Sequence, residues 1–235
     1  MKHKTACHSL HLPLSYDQQR LVADMNICLR SVWTDHFNKK DYDGDWNSIA
    51  LYSASGKAED ILTFGDASFV ATSLLSSCAY FKELLDNLRF EKESVRLLRL
   101  AAGSIVHEHR DRGLAYEHGV FRLHIPLQTE ADVDFIVGNQ RMEMEAGECW
   151  YANFDLPHSV NNRSANDRVH LVIDGKRNEW TDNLFREAGY DFKEERKVLA
   201  PDETTFNAMI AQLEQMNTET SRRIIEQMKA TRNAG

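Results

Sequence analysis

Two hydrophobic rhythms divide the chain. Between residues 95 and 173 apolar and polar side chains largely alternate, the repeat of an extended strand whose side chains point to opposite faces. Residues 95–100, 105–111, 120–127, 133–137, 141–145, 148–153 and 169–173 read as strands, and the turn residues between them predict an all-β sandwich or jelly roll. On either side of this block the spacing lengthens to three and four. Leu21, Val22, Met25, Ile27, Cys28 and Val32 predict a helix capped by Ser15 and reaching Val32. Leu75, Cys78, Phe81, Leu84, Leu85 and Leu88 predict a second, over residues 74–88, that backs the sheet. Leu10, Leu12 and Leu14 fit a short strand along a sheet edge, and residues 46–52 fit another strand. After Arg177 the chain is highly charged. There Asp202 can cap a helix with a stripe of Phe206, Met209, Ile210, Leu213 and Met216, prolonged by Ile224, Ile225 and Met228.

The expected division is a β domain with N-terminal helices over residues 1–180 and a helical extension, packed on it, over 181–235. Packing on the sandwich, a homodimer contact and a lid over a substrate are the three roles open to that extension. A chain of 235 residues is long enough for one sizeable core. Its net charge of −8 argues against a nucleic-acid partner, which binds phosphates through a basic excess or basic face. No apolar run approaches the ~20 residues that span a bilayer, and the first residues lack the apolar core of a secretory signal, so a cytoplasmic protein without a membrane partner is expected. Cys7, Cys28, Cys78 and Cys149 are scattered and form no C-x-x-C pair, which points to reduced thiols, with Cys149 beside Trp150 a small buried hydrophobe. Asp41-Tyr42-Asp43-Gly44 has the look of a calcium loop, but Ala50 stands where the closing glutamate belongs, and a turn is expected. His3, His8 and His11 lie in an irregular terminus that seldom forms a defined metal site.

The chemistry concentrates between Ile105 and Asp174. On a strand over 105–111, His107, His109 and Asp111 share one face. His109-x-Asp111 with the distant His158 makes a two-histidine, one-carboxylate set, which leaves three positions open on Fe(II), whereas structural zinc takes four ligands and usually thiolates. His107-x-His109 is the competing pair of a cupin, which would also use a glutamate about four residues on; Gly113 and Leu114 stand there. Asn162 matches a cupin spacing after His158 but reads equally as a turn residue. Arg168, ten residues past His158, could hold the distal carboxylate of a keto acid in a bidentate pair. Arg168 and Arg122 both interrupt apolar strands and need an anionic partner, either a ligand or a structural Asp or Glu. His124 and His170 sit in apolar strands as core histidines or cosubstrate contacts, and His118 belongs at a site mouth or in solvent. Arg96 and Arg99 are open between a substrate carboxylate and a solvated face. Trp150 and Phe154 read as core packing or as site walls.

The ordered pieces Leu100-Ala101-Ala102-Gly103-Ser104, His109-Arg110-Asp111, residues 121–127, Gly147-Glu148-Cys149-Trp150, residues 156–162 and residues 168–174 resemble the aspartyl/asparaginyl β-hydroxylase family of Fe(II)- and 2-oxoglutarate-dependent dioxygenases, and within it the bacterial proline-hydroxylase type. The resemblance covers roughly residues 80 to 180. It implies a mainly β, double-stranded β-helix (jelly-roll, cupin-like) core flanked by N-terminal and C-terminal α-helices. It also implies that His109, Asp111 and His158 bind Fe(II), that Arg168 binds the distal carboxylate of 2-oxoglutarate, and that Arg122 and His124 lie near its proximal end. The implied reaction uses O2, releases succinate and CO2, and hydroxylates an unactivated carbon of a small amino acid such as proline. An aspartyl or asparaginyl residue in a peptide or tethered to a carrier is the second reading. A non-redox cupin-like binding protein or metal-dependent isomerase is the third. Loops at 112–118 and 57–69 are expected as lids.

Overall fold

In the computed structural model, which describes residues 5, 7–62 and 68–233, the alternating stretch forms two antiparallel sheets. Their strands are β1 (Ser9–Ser15), β2 (Thr34–Asp35), β3 (Tyr42–Asp43), β4 (Trp46–Ser53), β5 (Val70–Ala71), β6 (Lys92–Leu100), β7 (Ile105–His109), β8 (Val120–Gln128), β9 (Val133–Val137), β10 (Gln140–Met142), β11 (Glu148–Ala152), β12 (His158–Asn162) and β13 (Arg168–Lys176). The larger sheet runs β1-β11-β8-β13-β6-β4-β2, with β5 on β4, and the smaller runs β10-β9-β12-β7-β3. One apolar cluster joins them, with Trp46, Leu98, Ala152 and Val172 from the larger sheet and Val106, Phe135, Val137 and Val160 from the smaller. This is the expected mainly β, jelly-roll architecture with flanking helices.

Central strand β13 lies between β6 and β8 and is buried at every residue except Lys176. Its odd-numbered residues Val169, Leu171 and Ile173 give one apolar face. Its even-numbered residues therefore carry Arg168, His170 and Asp174 together on the other. On the smaller sheet β7 pairs with β12, setting His158 opposite His109, so register brings together residues 49 apart in sequence.

Helices α1 (Gln18–Leu29), α2 (Ala79–Asn87) and α3 (Glu179–Glu187) belong to the same compact unit, Cys7–Tyr190. Asp24 of α1 accepts hydrogen bonds from the Tyr80 and Phe81 amides at 2.8 Å, so one helix caps the next, whose own N-terminal residue Cys78 makes no side-chain cap. Phe185 of α3 is fully buried and stacks on Tyr116 at 3.6 Å. A second unit holds α4 (Phe192–Leu199), α5 (Glu203–Met216) and α6 (Glu219–Asn233). Asp202 caps α5 as expected, Asn217 ends it in the left-handed conformation, and α5 and α6 form a hairpin in which Arg232 pairs with Glu203 at 2.8 Å. No helix among the described residues is long and apolar enough to cross a membrane.

Several boundaries differ from the sequence reading. Asp17, not Ser15, caps α1 by accepting from the Arg20 amide, and the helix stops at Leu29, leaving Val32 exposed. The helix expected over 74–88 begins as a separate 3-10 turn at Leu75–Ser77, because the chain reorients at Cys78 before α2 starts. The strand expected to reach Asp111 ends at His109, and residues 158–162, which are not among the expected strands, form β12. The division expected after residue 180 falls after Tyr190, since the Tyr116–Phe185 stack ties α3 to the β unit. In the Asp-rich stretch, expected as a turn, Tyr42–Asp43 form β3 and the chain bends on either side of it. Gly44 adopts φ +86°, and a Cβ there would run into the Ser104 hydroxyl, which accepts from the Asp45 amide at 2.9 Å.

Candidate metal and cosubstrate site

His109 closes β7, His158 opens β12, and Asp111 lies in the turn after β7, its amide bonded to the Phe154 carbonyl at 2.9 Å. One ligand atom from each of the three lies within 4.8 Å of the others. Each imidazole uses Nδ1 on a main-chain carbonyl of its own segment: His109 on His107 at 2.8 Å and His158 on Leu156 at 3.0 Å. A carbonyl only accepts, so the proton sits on Nδ1 and both Nε2 lone pairs are free to ligate, the arrangement metal-binding histidines use. Burial, with His109 beside it, pushes His158 down to about 4, so the ring is neutral and ready as a donor. Burial would raise the Asp111 carboxyl, but Arg122, His158 and His109 outweigh it and hold it below the usual carboxylate range. Two imidazoles presenting Nε2 and one carboxylate, with no cysteine in the cluster among the described residues, suit Fe(II) with open positions and fit the group the sequence implied.

His107, the competing first member of an H-x-H pair, instead faces Asp43 at 3.2 Å at the exposed edge. The shared face expected for His107 and His109 is lost to a register shift between His158 and Val160, where β7 carries one residue more than β12, so His109 takes the inner face of Val106 while His107 turns outward. Asn162 is structural: its amide donates to the carbonyls of Leu100, Ala101 and Asn166 and its oxygen accepts from Ser164.

The three ligand residues open onto a cavity of about 620 Å3 between the sheets, lined also by Arg168, His124, Phe135 and Phe154. Arg168 is 3% exposed and has no carboxylate partner among the described residues. Its Nη2 donates to His170 Nδ1 at 3.0 Å, its guanidinium lies 5.0 Å over the Phe135 ring, and its Nε has no partner. Burial alone pushes it down to about 9. Because Arg168 can only donate, His170 Nδ1 accepts, and the same nitrogen faces His124 Nδ1 at 3.3 Å, which must then be the protonated one. Burial first, then Arg168, holds both histidines well below their ordinary value, so both are neutral. His124 Nε2 and His170 Nε2 lack partners. Phe154 stacks on His124 at 5.2 Å and meets His158 edge-on at 4.7 Å, which makes it a wall of the site as well as core.

Arg122 is held differently. Its Nε and Nη2 donate to the two oxygens of Asp174 at 2.6 and 3.0 Å, and its Nη1 donates to Asp111 Oδ2 at 2.6 Å. Arg96 reaches the same Asp174 from the other side at 3.1 Å, whereas Arg99 turns away from the cavity toward Asn47 and Asp167. The sequence reading did not single out Asp174, since an acid at the end of an apolar strand carries no periodic signal. It also missed His36, which stacks on Trp46 at 3.6 Å at the cavity wall. His118 is exposed and does not line the cavity. The expected lid at 112–118 is anchored at its far end, because Ala115 and Tyr116 are fully buried; only its first part, to Leu114, borders the opening. Of the second expected lid, Ile61 lines the cavity, and residues 63–67 lie outside the described residues.

Similarity to known proteins points the same way. The chain is 26% identical over 178 residues to the L-proline cis-4-hydroxylase of Rhizobium meliloti, covering 74% of this chain and 62% of that one. It is 26% identical over 174 residues to L-proline cis-3-hydroxylase 1 of a Streptomyces species, covering 68% of this chain and 57% of that one. The chain thus spans less than two thirds of the length of these relatives. The fold is shared with an oxidoreductase of the 2OG-Fe(II) oxygenase family from Burkholderia pseudomallei, with TM-score 0.54 and 15% identity over 73% of this chain and 86% of that one. HygX from Streptomyces hygroscopicus, solved with nickel, 2-oxoglutarate and hygromycin B, has TM-score 0.50 at 10% identity, over 74% of this chain and 84% of that one. The aspartyl/asparaginyl beta-hydroxylase model matches residues 17–178, a span that contains every residue of the triad together with Arg122, His124 and Arg168, and the chain therefore belongs to that family.

Proposed function

We propose that this protein is a dioxygenase that uses Fe(II), 2-oxoglutarate and O2 to hydroxylate a carbon of a small amino acid. The observation that carries the reading is one cavity with a metal-ready triad and, on its wall, a buried guanidinium that no carboxylate of the described residues neutralises. A dicarboxylate cosubstrate meets both demands. His109, Asp111 and His158 would hold Fe(II), which with O2 supplies oxidative decarboxylation of 2-oxoglutarate to succinate and CO2 and oxygen transfer to carbon.

The protein's share is binding and exclusion. Arg168 pairs with the distal carboxylate, recovering the desolvation that burial imposes on it. Neutral His170 fixes the plane of that guanidinium through the 3.0 Å bond, and His124 buttresses His170. Phe135 and Phe154 wall the cavity with apolar surface and keep water from the reacting centre. The relatives that act on L-proline support a free amino acid as substrate.

The test is succinate release by the purified chain with Fe(II), ascorbate, 2-oxoglutarate and O2, scanned across free amino acids. One amino acid should stimulate release and gain the mass of one oxygen, and Arg168→Ala and His158→Ala should each abolish turnover. Absence of any succinate release under these conditions would overturn the reading.

A further inference from the structure

Resting on the reading of the triad as a metal centre, we propose that Asp174 is a positioning residue for that centre, acting through Arg122 on the ligand carboxylate of Asp111. The two oxygens of Asp111 already differ. Oδ1 faces His109 Nε2 at 4.0 Å, on the side of the other ligands, while Oδ2 is taken by Arg122 Nη1 at 2.6 Å. Arg122 meets Asp111 through Nη1, the nitrogen turned away from Asp174, which clamps its Nε and Nη2 edge in a bidentate pair at 2.6 and 3.0 Å. Asp174 sits directly opposite Arg122 in the β8–β13 ladder and opposite Ser94 of β6, and the guanidinium of Arg96 fixes its far side.

Asp111, by contrast, follows the end of β7 and has no ladder of its own. The orientation of a ligand next to the smaller sheet is thus set by a carboxylate of the larger one. Replacing Asp174 with Asn turns an amide N–H2 toward a guanidinium that can only donate. Arg122 is then released to close on both oxygens of Asp111 and compete for the oxygen that faces the ligand set. Partners at this remove from a metal typically tune its affinity by about 10- to 100-fold.

The test is titration of the purified chain with Mn(II), followed by calorimetry, and with Co(II), followed by its visible absorption, a spectrum that reports ligand geometry whatever the stability of the fold. Asp174→Asn should weaken Mn(II) binding about 10- to 100-fold and change the Co(II) spectrum. Arg122→Lys, which keeps the charge but cannot bridge two carboxylates, should do the same and carries the test if Asp174→Asn does not fold. Arg99→Lys, on the same strand as Arg96 but bonded to Asn47 and Asp167 outside the cavity, should leave the Mn(II) isotherm in place. Folded Asp174→Asn and Arg122→Lys proteins that bind both ions within about twofold of the original chain would overturn the proposal. If the original chain binds neither ion, or binds them equally after His158→Ala, it is the metal-centre reading itself that falls.

Discussion

Arg168→Met should make the ligand-free protein more stable while removing its response to 2-oxoglutarate. Burial alone pushes the Arg168 guanidinium down to about 9, which at ~1.4 kcal/mol per pH unit is a desolvation cost of about 5 kcal/mol. Against this stand one hydrogen bond to His170, worth about 1–1.5 kcal/mol, and the contact with Phe135, worth about 1 kcal/mol. Methionine has similar reach and no charge, so the net gain is about 2–3 kcal/mol. For a unit of this size each kcal/mol moves Tm by about 2–4 °C, giving an expected rise of roughly 4–12 °C. Saturating 2-oxoglutarate cancels the difference. At 100 times Kd it adds about 2.7 kcal/mol to the original chain and nothing to the variant. The assay is thermal denaturation of both proteins with Mn(II), with and without 2-oxoglutarate. A ligand-free variant less stable than the original chain, or one still stabilised by 2-oxoglutarate, would refute the argument.

Other substitutions and pH probe the frame around the site. Phe185→Ala removes the ring stacked on Tyr116 and should cost about 3–5 kcal/mol in denaturant unfolding; a loss below about 1 kcal/mol would show that α3 does not belong to the β unit. Gly44→Ala combines positive φ with a collision against Ser104 and should cost about 1–3 kcal/mol by the same assay. His36, held at about 4, and His124 and His170, held well below their ordinary value, are all kept neutral chiefly by burial. In the unfolded chain these imidazoles take up protons near pH 6.5, so their contribution to stability is complete above that pH and is lost as pH falls toward the folded values. Tm should therefore fall steadily from pH 7 to pH 5, with proton uptake on unfolding detectable by calorimetry in buffers of different ionisation enthalpy; a flat profile would contradict it.

What the sequence disclosed and what it hid follow from how local each signal is. Alternation exposed β6, β8, β9 and β11, and the His-x-Asp spacing with His158 identified residues that the fold does bring together. The strand carrying His158 was hidden because Ser159, Asn161 and Asn162 dilute its apolar pattern, and pairing with β7 and β9 makes it a strand regardless. Asp174 was hidden for a different reason. Its meaning lies in Arg122 and Arg96, 52 and 78 residues away, and only strand order reveals that neighbourhood. Capping was misread at α1 because Ser15 and Asp17 are both good caps and the end of β1 claims the serine. The end of the β unit was misplaced because Phe185 looks, in sequence, like any other apolar residue of a charged helix.

The pairing of His109 with His158 across β7 and β12 separates the geometry of the centre from the length of chain between them. Ladder spacing fixes how far apart the two rings stand, so the intervening hairpins and turns are free to lengthen, shorten or change composition provided the two strands still meet in the same register. A framework of this kind can therefore be re-lined by loop insertion and exchange while the two imidazoles keep their spacing.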